Sequence, residues 1–479
     1  MHKPRKVLLV EPKSKNSYPP LGLMKLSTYH KLQGDSVNYT YGMSGWHRDA
    51  FWDVIYITSM FTFDFKELIR TIRFYSQNLF NFRNIQVGGV AATLLADRVE
   101  AETGIAPHQG TLRDRDPILA TLARKEKWAK YLQSSTPCID YLPPDYSIFG
   151  MNGQYDKIIP EAHLLYATKG CNRRCSFCAV HTLEPNFVDY IPIRPRVEYV
   201  IKKFGEKRGM LLLDNNVVAS NQFNRIIDEI KDLGFQRGSK LNKKQRFVDF
   251  NQGVDARMLD RKKMKKFSEI EIHPLRLAFD SRAMESTYVT AMKLAIDCGI
   301  HRLSNYMLYN YNDKPVDLYH RMRVNIELNE KYGMKIFSFP MKYIPLNAED
   351  RSFIGPNWTK REIRGFQLIL NVTKGIVSSK RDFFQHAFGS NEREYQMILL
   401  MPQAYILNRV VHEADGTIND WKRGYLALSD RQRSQLKKVI EKGPLRTVPV
   451  VTSKKLQRVL DHYGCEADKY VTQDESKEL

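Results

Sequence analysis

The sequence predicts an α/β protein in three parts: an N-terminal Rossmann-like doubly wound sheet, a central partial (β/α)6 barrel and a mostly helical C-terminal region. Three observations predict this class. Apolar strand runs alternate with helical patterns up to about residue 90, six more strand runs alternate with helices between residues 164 and 343, and helical patterns alone follow. We therefore expect a Rossmann-like domain at 1–130, a linker at 131–160, a barrel at 161–345 and a basic helical domain at 346–479.

Composition restricts the environment and the partners of the chain. The 479 residues carry a net charge of +21, which favours polyanions, so a nucleic acid is a candidate partner, although such charge can also serve solubility alone. The six cysteines form no even disulfide framework, which is typical of the reducing cytosol. The first residues lack the apolar stretch of a signal peptide, and no apolar run is long enough to cross a bilayer. We expect a cytoplasmic protein without membrane contact.

The N-terminal part begins with fully apolar strand runs at residues 6–10, 54–58 and 85–90, separated by helical patterns at about 18–34 and 64–76. Alternation of this kind predicts a parallel sheet whose ligand crevice lies at the carboxyl ends of the strands. A helical stretch and a segment with Pro143 and Pro144 follow, which predicts a stiff connection and a domain boundary near residues 145–160.

Three cysteines, Cys171, Cys175 and Cys178, form a C-x3-C-x2-C motif directly after the first barrel strand run at residues 164–167. A structural zinc site or an ordinary iron–sulfur cluster requires four protein ligands, so three thiols with no fourth nearby leave one coordination position open. Half of a zinc site, a redox switch and coincidence are the alternatives for the motif taken alone.

Polar residues follow each barrel strand run, where barrel enzymes place their active sites. The runs lie at 164–167, 210–213, 247–250, 275–279, 306–309 and 336–343. After the second to fifth runs stand Asp214, Asn215 and Asn216; Asn251, Gln252, Asp255 and Arg257; Asp280, Ser281 and Arg282; and Asn310, Tyr311 and Asn312. Helix capping is the alternative role for such residues, and it is favoured for Ser220 and equally suited to Ser281.

The cysteine spacing, the preceding strand and Phe177 before the last cysteine resemble the cluster loop of the radical S-adenosylmethionine (SAM) superfamily. The resemblance implies that the three thiolates hold a [4Fe-4S] cluster whose fourth iron binds the amino and carboxylate groups of SAM. It also implies SAM contacts from the strand ends: Asp214, Asn215 and Asn216 near the amino group, and Phe177 near the adenine. Gln252, Arg257, Asp280 and Ser281 lie on the third and fourth strand ends, which supply groups to the carboxylate and ribose in related enzymes, and Arg257 is the candidate partner of the carboxylate. It covers about residues 1–345.

The N-terminal part is similar to the cobalamin-binding-type domain that precedes many radical SAM barrels, through Pro-Pro-Leu-Gly-Leu at 19–23 and Val-Gly-Gly-Val at 87–90. The Asp-x-His-x-x-Gly loop whose histidine ligates cobalt in many such domains is missing, and His30, His47 and His108 have other neighbours. Cobalamin is therefore one possibility, and a sheet that covers the barrel and shapes the substrate cleft is the other.

Two basic stretches stand out within the barrel segment: a loop with Arg237, Lys240, Lys243, Lys244 and Arg246, and a helix with Arg261, Lys262, Lys263, Lys265 and Lys266. The helix run is typical of a solvated face, so the loop is the better candidate for phosphates. In the C-terminal region, aromatic residues lie among basic ones, and we expect core packing rather than stacking on a single strand. The tail at 471–479 is expected to be disordered.

The hypothesis is a radical SAM enzyme that cleaves SAM to a 5'-deoxyadenosyl radical and modifies a substrate that the sequence does not identify, with RNA or another nucleic acid as one option. The resemblance implies an external flavodoxin- or ferredoxin-like electron donor, and no catalytic side chain is assigned. One alternative is a cobalamin-dependent radical SAM methyltransferase. Another, of a different class, is a nucleic-acid-binding protein whose iron–sulfur cluster is structural or sensory.

Overall fold

The computed structural model describes residues 3–15, 18–114, 116–133, 137–150, 154–442, 445 and 448–464. Within these residues the chain forms two compact units. The first contains residues 1–277, 290–300 and 344–351, and the second contains 278–289, 301–343 and 352–479. Both N-terminal segments of the predicted division, 1–130 and 131–160, fall in the first unit together with most of the predicted barrel. The predicted disorder of 471–479 concerns residues outside the described ranges.

The first unit begins with a four-stranded parallel sheet in the order β2-β1-β3-β4. Its elements are β1 (Lys6–Glu11), α1 (Leu21–Leu32), β2 (Ser36–Tyr41), α2 (Gly45–Asp49), β3 (Val54–Thr58), α3 (Phe65–Ser76), α4 (Leu79–Phe82), β4 (Ile85–Gly88), α5 (Val90–Leu94), α6 (Ala96–Thr103) and α7 (Pro117–Lys125).

Side chains from successive residues of β1 enter two different apolar cores. Leu8 and Val10 pack with Ile57 and the α3 side chains, whereas Val7 and Leu9 pack with residues of α1. Helices therefore cover both faces of the sheet, which is why β1 reads as a continuous apolar run. The predicted strands at 6–10 and 54–58 are confirmed. The edge strand β2 was not predicted, because its partly exposed sequence Ser-Val-Asn-Tyr-Thr-Tyr contains no apolar run.

Parallel strands and helices continue through the predicted barrel segment. They are β5 (Ala162–Leu165), α8 (Val180–Leu183), α9 (Arg194–Phe204), β6 (Gly209–Leu212), α10 (Phe223–Ile230), β7 (Lys240–Leu241), β8 (Lys244–Gln245), β9 (Phe247–Phe250), α11 (Arg261–Phe267), β10 (Leu275–Ala278) and α12 (Glu285–Asp297). Strands β5, β6 and β9 form one parallel sheet, and single parallel bridges join Val248 to Ile272 and Val254 to Leu277.

The second unit contains β11 (Arg302–Tyr309), α13 (Pro315–Tyr332) and β12 (Lys335–Lys342), whose strands pair in parallel along their full lengths. Helices follow: α14 (Lys360–Val372), α15 (Arg381–Phe388), α16 (Glu392–Leu400), α17 (Gln403–Leu407), α18 (Arg409–Ala414), α19 (Thr417–Leu426), α20 (Asp430–Ile440) and α21 (Lys454–Leu460). The α/β class with parallel sheets is thus confirmed, and closure of the six strand–helix units into a partial barrel stays a prediction.

Most of the C-terminal aromatic side chains that were considered for strand stacking are buried, as expected for core packing: Trp358, Phe384, Tyr395, Tyr405 and Trp421. Phe383 is exposed and Tyr425 is half-buried. Of the helices described, not one combines the length and the hydropathy needed to span a bilayer.

Candidate functional site

The three-cysteine loop leaves the end of β5 through a turn that requires glycine. Gly170 has a φ of +75°, and a Cβ atom at this position would lie 2.8 Å from the carbonyl oxygen of Asn186. A side chain there would be strained by both the backbone conformation and this contact. The residue before Cys171 therefore fixes the direction in which the loop begins.

Cys171, Cys175 and Cys178 are half-buried free thiols on this loop. The Cys178 amide donates to the Cys175 carbonyl at 3.0 Å, and the Arg173 amide donates to Cys171 Sγ at 3.4 Å. Helix α8 begins two residues after Cys178. The loop is thus a compact turn whose thiols remain reachable by a ligand.

Three thiols are the kind of donor that an iron–sulfur cluster uses. Among the described residues, no three His, Cys, Asp or Glu side chains form a group that could hold one metal ion. A four-iron cluster does not need such convergence, because each thiolate binds a separate iron. Cys138 is buried in an apolar cluster with Leu142 and Ile191, and burial raises the pKa of its thiol to about 11. Cys138 therefore remains a core thiol rather than a metal ligand.

Glu184, directly after α8, ties the two ends of the cysteine loop together. Its Oε2 accepts hydrogen bonds from the Gly170 amide at 2.6 Å and from Asn215 Nδ2 at 2.8 Å, and its Oε1 accepts from Lys169 Nζ at 2.8 Å. One carboxylate thus holds the start of the loop, the end of the loop and the segment after β6 in one arrangement. Asn215, predicted to contact SAM, is one of these tethered groups.

Behind this carboxylate lies a buried charge network. Lys169 Nζ is 3.2 Å from Asp140 Oδ2, and Lys25 Nζ is 2.7 Å from Asp140 Oδ1. The two ammonium nitrogens lie 3.6 Å (Lys169) and 4.2 Å (Lys25) from the centre of the Tyr166 ring. Two cations and two anions, counting Glu184, balance one another in the interior, as buried charges must. We call Lys25, Asp140, Lys169 and Glu184 the charge quartet.

Burial and mutual attraction set the ionisation of the quartet. Burial lowers the pKa of Lys25 to about 8, against the opposing effect of Asp140. Burial alone would raise the pKa of Asp140, but the ammonium groups of Lys169 and Lys25 lower it well below its usual value. Lys25, Asp140 and Lys169 are therefore charged at neutral pH, and each depends on the others.

Asp214, predicted near the SAM amino group, holds the backbone of the preceding strand end. Its Oδ1 accepts from the Ala167 amide at 2.9 Å and from Thr168 Oγ1 at 2.6 Å, and its Oδ2 accepts from the Ala167 amide at 3.1 Å. Burial raises its pKa to about 6, against the effect of these hydrogen bonds. Asp214 thus fixes the segment between β5 and Gly170, and a contact with SAM stays a prediction.

Asn216 lies directly beside the first cysteine. Its Nδ2 is 3.5 Å from Cys171 Sγ and donates to Asn172 Oδ1 at 3.0 Å. Its Oδ1 is buried and has no hydrogen-bond partner among the residues that the structure describes. A buried acceptor without a donor costs about 1–3 kcal/mol, so such an atom indicates that a ligand supplies the donor.

The segment after β9 brings positive charge to the loop. Asp255 accepts from Arg257 Nε at 2.7 Å and from Arg173 Nε at 3.1 Å. The Asp255 carboxylate raises the pKa of the Arg257 guanidinium most strongly, and the Cys175 thiol raises it further. Two guanidinium groups and one carboxylate leave a net positive charge beside the thiols. Arg257, the predicted carboxylate partner of SAM, is therefore part of the site.

The other residues predicted to bind SAM are Gln252, Phe177, Asp280 and Ser281. Gln252 is exposed and donates to Asn251 Oδ1 at 3.2 Å. Phe177 is half-buried on the loop. Asp280 and Ser281 belong to the second unit, where Asp280 Oδ1 accepts from the Leu308 amide at 3.0 Å and Ser281 caps no helix with its side chain. Their roles stay predictions.

His30, His47 and His108, the histidines considered as cobalt ligands, have partners within the chain. His30 is buried, with Nδ1 2.7 Å from Asp35 Oδ2 and Nε2 3.1 Å from the Tyr56 hydroxyl. His47 Nδ1 lies 2.9 Å from Ser44 Oγ, and His108 Nε2 lies 3.2 Å from the carbonyl oxygen of Thr111. None of these contacts prepares a histidine to ligate cobalt.

The two basic stretches differ in what their cations contact. On α11, Lys263 donates to the carbonyls of Val218 and Met258, and Lys266 pairs with Asp228 and Glu269. The predicted loop is instead the hairpin β7–β8, with positive φ at Asn242 and Lys243 as a two-residue turn requires. We call its exposed lysines, Lys240, Lys243 and Lys244, the basic hairpin; no ion pair to them occurs among the described residues.

Comparison with known proteins gives distant similarities. No protein-family model matches the chain, and no curated protein matches it in sequence. The radical SAM methyltransferase TsrM from Kitasatospora setae, solved with tryptophan and a SAM analogue, is 12% identical over 66% of this chain and 71% of its own, with a TM-score of 0.47. The cobalamin-dependent SAM radical enzyme OxsB is 12% identical over 100% and 76%, also at 0.47. HydG, a maturase of the [FeFe]-hydrogenase, is 15% identical over 66% and 82%, at 0.33.

Two of these neighbours, TsrM and OxsB, are radical SAM enzymes. Because TM-scores below 0.5 do not establish a common fold, the chemistry of the site has to be argued from its own residues. The residues that sequence reasoning missed are Glu184 and the other members of the charge quartet. Lys25 gave one signal, since it interrupts the apolar helix start Leu-Gly-Leu-Met-Lys-Leu at 21–26.

Proposed function

We propose that this chain is a radical SAM enzyme in which Cys171, Cys175 and Cys178 hold a [4Fe-4S] cluster. When bound, such a cluster would supply one electron for cleavage of a carbon–sulfur bond of SAM, which would yield methionine and a 5'-deoxyadenosyl radical able to abstract hydrogen from a substrate. Two observations together support the proposal. Three cysteine thiols are accessible to a ligand, and beside them the buried Oδ1 of Asn216 has no hydrogen-bond partner among the described residues.

Asn216 suits the amino group of SAM in both distance and chemistry. Its Nδ2 is already engaged by Cys171 Sγ and Asn172 Oδ1, so the amide orientation is fixed and Oδ1 is the atom left for a ligand. An ammonium group donates hydrogen bonds and accepts none, which matches an acceptor that lacks a donor. We therefore assign Asn216 to the SAM amino group and Asp214 to positioning of the loop.

Arg257 and Arg173 can stabilise two negative charges of the assembled site, the SAM carboxylate and the thiolate-bound cluster. A guanidinium binds a carboxylate through two parallel hydrogen bonds, which suits Arg257 for the SAM carboxylate once it shares its donors with Asp255. The same positive charge stabilises the anionic thiolate-bound cluster. An acidic flavodoxin- or ferredoxin-like donor would be attracted to this surface through the exposed Arg174.

The charge quartet keeps the loop in place without using the thiols. Glu184 fixes both ends of the loop, and Lys169, Asp140 and Lys25 fix Glu184 from within. Because these groups are buried, water does not compete for them, and the loop is held before a cluster binds. Residues that hold a site in position are what an enzyme needs when the cofactor performs the chemistry.

Production of 5'-deoxyadenosine tests the proposal. The chain is reconstituted with iron and sulfide without oxygen, reduced, and incubated with SAM. We expect 5'-deoxyadenosine from the wild type and none from Cys175→Ala. Cys298→Ala, which removes a half-buried free thiol outside the loop, should retain both the iron content and the product. Zinc in place of iron, or equal activity of the two variants, would refute the proposal.

A cobalamin-dependent methyltransferase is the second candidate, favoured by contacts between the N-terminal sheet and the cysteine loop. Gly110, beyond the carboxyl end of β4, lies against the Leu183 carbonyl, and Arg113 donates to the Asn186 carbonyl at 3.3 Å. A ligand at that end of the sheet would therefore lie close to the cluster. Anaerobically purified chain that is mixed with micromolar cobalamin and then desalted should retain the visible absorbance of cobalamin. If no cobalamin absorbance remains with the protein, this candidate is wrong.

A further inference from the structure

The helical region of the second unit contains a half-open surface cavity of about 580 Å³, which the proposed function does not use and which the exposed residues Arg393, Ser434 and Lys437 help to line. The cavity lies between the first turns of α16 and α20 and the end of α19. Its volume falls within the range of small-molecule sites, about 300–1,000 Å³. All of its lining residues belong to the second unit.

The acidic side chains at the cavity already have partners. Glu394 accepts from the Ser390 amide at 2.9 Å and lies 3.6 Å from Lys422 Nζ. Asp430 lies 3.2 Å from the guanidinium of Arg433, and its carboxylate is exposed to solvent. These carboxylates are therefore balanced and leave the cavity without an unpaired negative charge.

The basic side chains behave differently. Arg393 and Lys437 line the cavity, and neither has an ion-pair partner in the part of the chain that the structure describes. The helices α16 and α20 both begin at the cavity, so the positive ends of their dipoles add to this charge. The unbalanced charge of the cavity is thus positive.

Hydroxyl groups complete the set of donors. Ser434 lines the cavity, and the Tyr425 ring contacts Trp421, at a centroid distance of 5.2 Å, and the Arg433 guanidinium, at 5.6 Å. Burial raises the pKa of Tyr425, so its hydroxyl keeps its proton and can donate.

We propose that this cavity binds a phosphate ester, with the phosphate on Arg393, Lys437, Ser434 and Tyr425. A guanidinium, an ammonium and two hydroxyls are the donors that phosphate oxygens prefer. Met397 and Leu426 supply an apolar wall for the organic part of the ligand. The ester is either a free nucleoside monophosphate or a phosphate within an RNA strand. This proposal does not rest on the proposed radical chemistry.

Titration calorimetry on the full-length, reconstituted chain tests the proposal with three probes: inorganic phosphate, uridine monophosphate and decauridylate. The variants are Arg393→Gln with Lys437→Gln, and the matched control is Arg431→Gln with Lys438→Gln, two exposed cations of α20 that do not line the cavity. Circular dichroism should show the same helix content for all three proteins.

We expect at least one ester to bind, and the cavity variant to bind it about tenfold or more weakly than the wild type, as loss of charged hydrogen bonds implies. The control variant should bind within about twofold of the wild type. Binding of uridine monophosphate alone identifies a free ester, and binding of decauridylate alone identifies an RNA strand. If no probe binds at millimolar concentration, or if both variants lose affinity equally, the proposal is wrong.

Discussion

Asp140→Asn should destabilise the first unit because it breaks the charge quartet. The substitution keeps the shape of the side chain and removes the only acidic partner that the structure gives to Lys25. Keeping Lys25 charged at a pKa of about 8, against the usual 10.5, already costs about 3 kcal/mol at pH 7. Without Asp140 the lysine can release its proton, which limits the further cost to about 1 kcal/mol.

Lys169 makes a second contribution to the loss of stability in Asp140→Asn. It loses the attraction of Asp140 at 3.2 Å and keeps that of Glu184 at 2.8 Å. Removal of one partner from a buried ion pair typically costs about 3–5 kcal/mol, and proton release by Lys25 moves the expected value toward the lower end. We expect Asp140→Asn to lower the free energy of opening of the first unit by about 2–4 kcal/mol at pH 7.

Native-state hydrogen exchange of the β5 amides measures this opening free energy. Asp232→Asn is the matched control, because Asp232 pairs with Arg194 on the surface and such pairs contribute at most about 1 kcal/mol. The double variant Lys25→Met with Asp140→Leu removes charges of both signs and should be less destabilised than Asp140→Asn. Equal losses for Asp140→Asn and Asp232→Asn, or a double variant worse than the single one, would refute the account of the quartet.

Further predictions concern the loop, the strand beneath it and the basic hairpin. Gly170→Ala should lower iron content after reconstitution, because its Cβ meets the Asn186 carbonyl; Gly205→Ala, also at positive φ but with open space around it, should not. Both ring nitrogens of buried His163 lack partners among the described residues, and burial lowers its pKa to about 3. The contribution of neutral His163 to the free energy of unfolding is therefore fully present above pH 6.5 and is lost as the pH falls toward 3. Urea unfolding should show a loss of about 2 kcal/mol at pH 5 for the wild type and no such loss for His163→Phe. If the chain binds RNA, glutamine at all three positions of the basic hairpin should reduce the slope of log affinity against log salt by about 2, whereas an unchanged slope would exclude the hairpin from the contact.

Regular elements were predictable where burial imposes a period. The strand predicted at 247–250 coincides with β9, and the other five predicted barrel strands overlap β5, β6, β10, β11 and β12. The sequence at 391–411 has the pattern of one helical stretch, but it forms three helices, because Pro402 and Asn408 separate α16, α17 and α18. Proline fixes the backbone and lacks an amide donor, so it marked a break that the apolar pattern alone does not show.

The site was predictable only in part, for a physical reason. The cysteine spacing and the polar strand ends are local patterns, and they place Cys171, Asn216 and Arg257 in one region. The roles of Asp214 and Asn216 depend on which groups lie opposite each side chain. Both residues follow the end of β6, where the alternation of a strand no longer fixes the direction of a side chain. Sequence alone therefore treats them as equivalent, although one holds the backbone and the other faces the thiols.

The charge quartet shows why the predicted segments have to be considered together. Lys25 lies in the segment predicted as a separate Rossmann-like domain, Asp140 in the predicted linker, and Lys169 and Glu184 in the predicted barrel. Cutting the chain between these segments would leave a buried charge without its partner, at a cost comparable to the whole stability of a small domain. The geometry of the cysteine loop thus depends on a helix about 145 residues earlier in the chain, which no local motif can reveal.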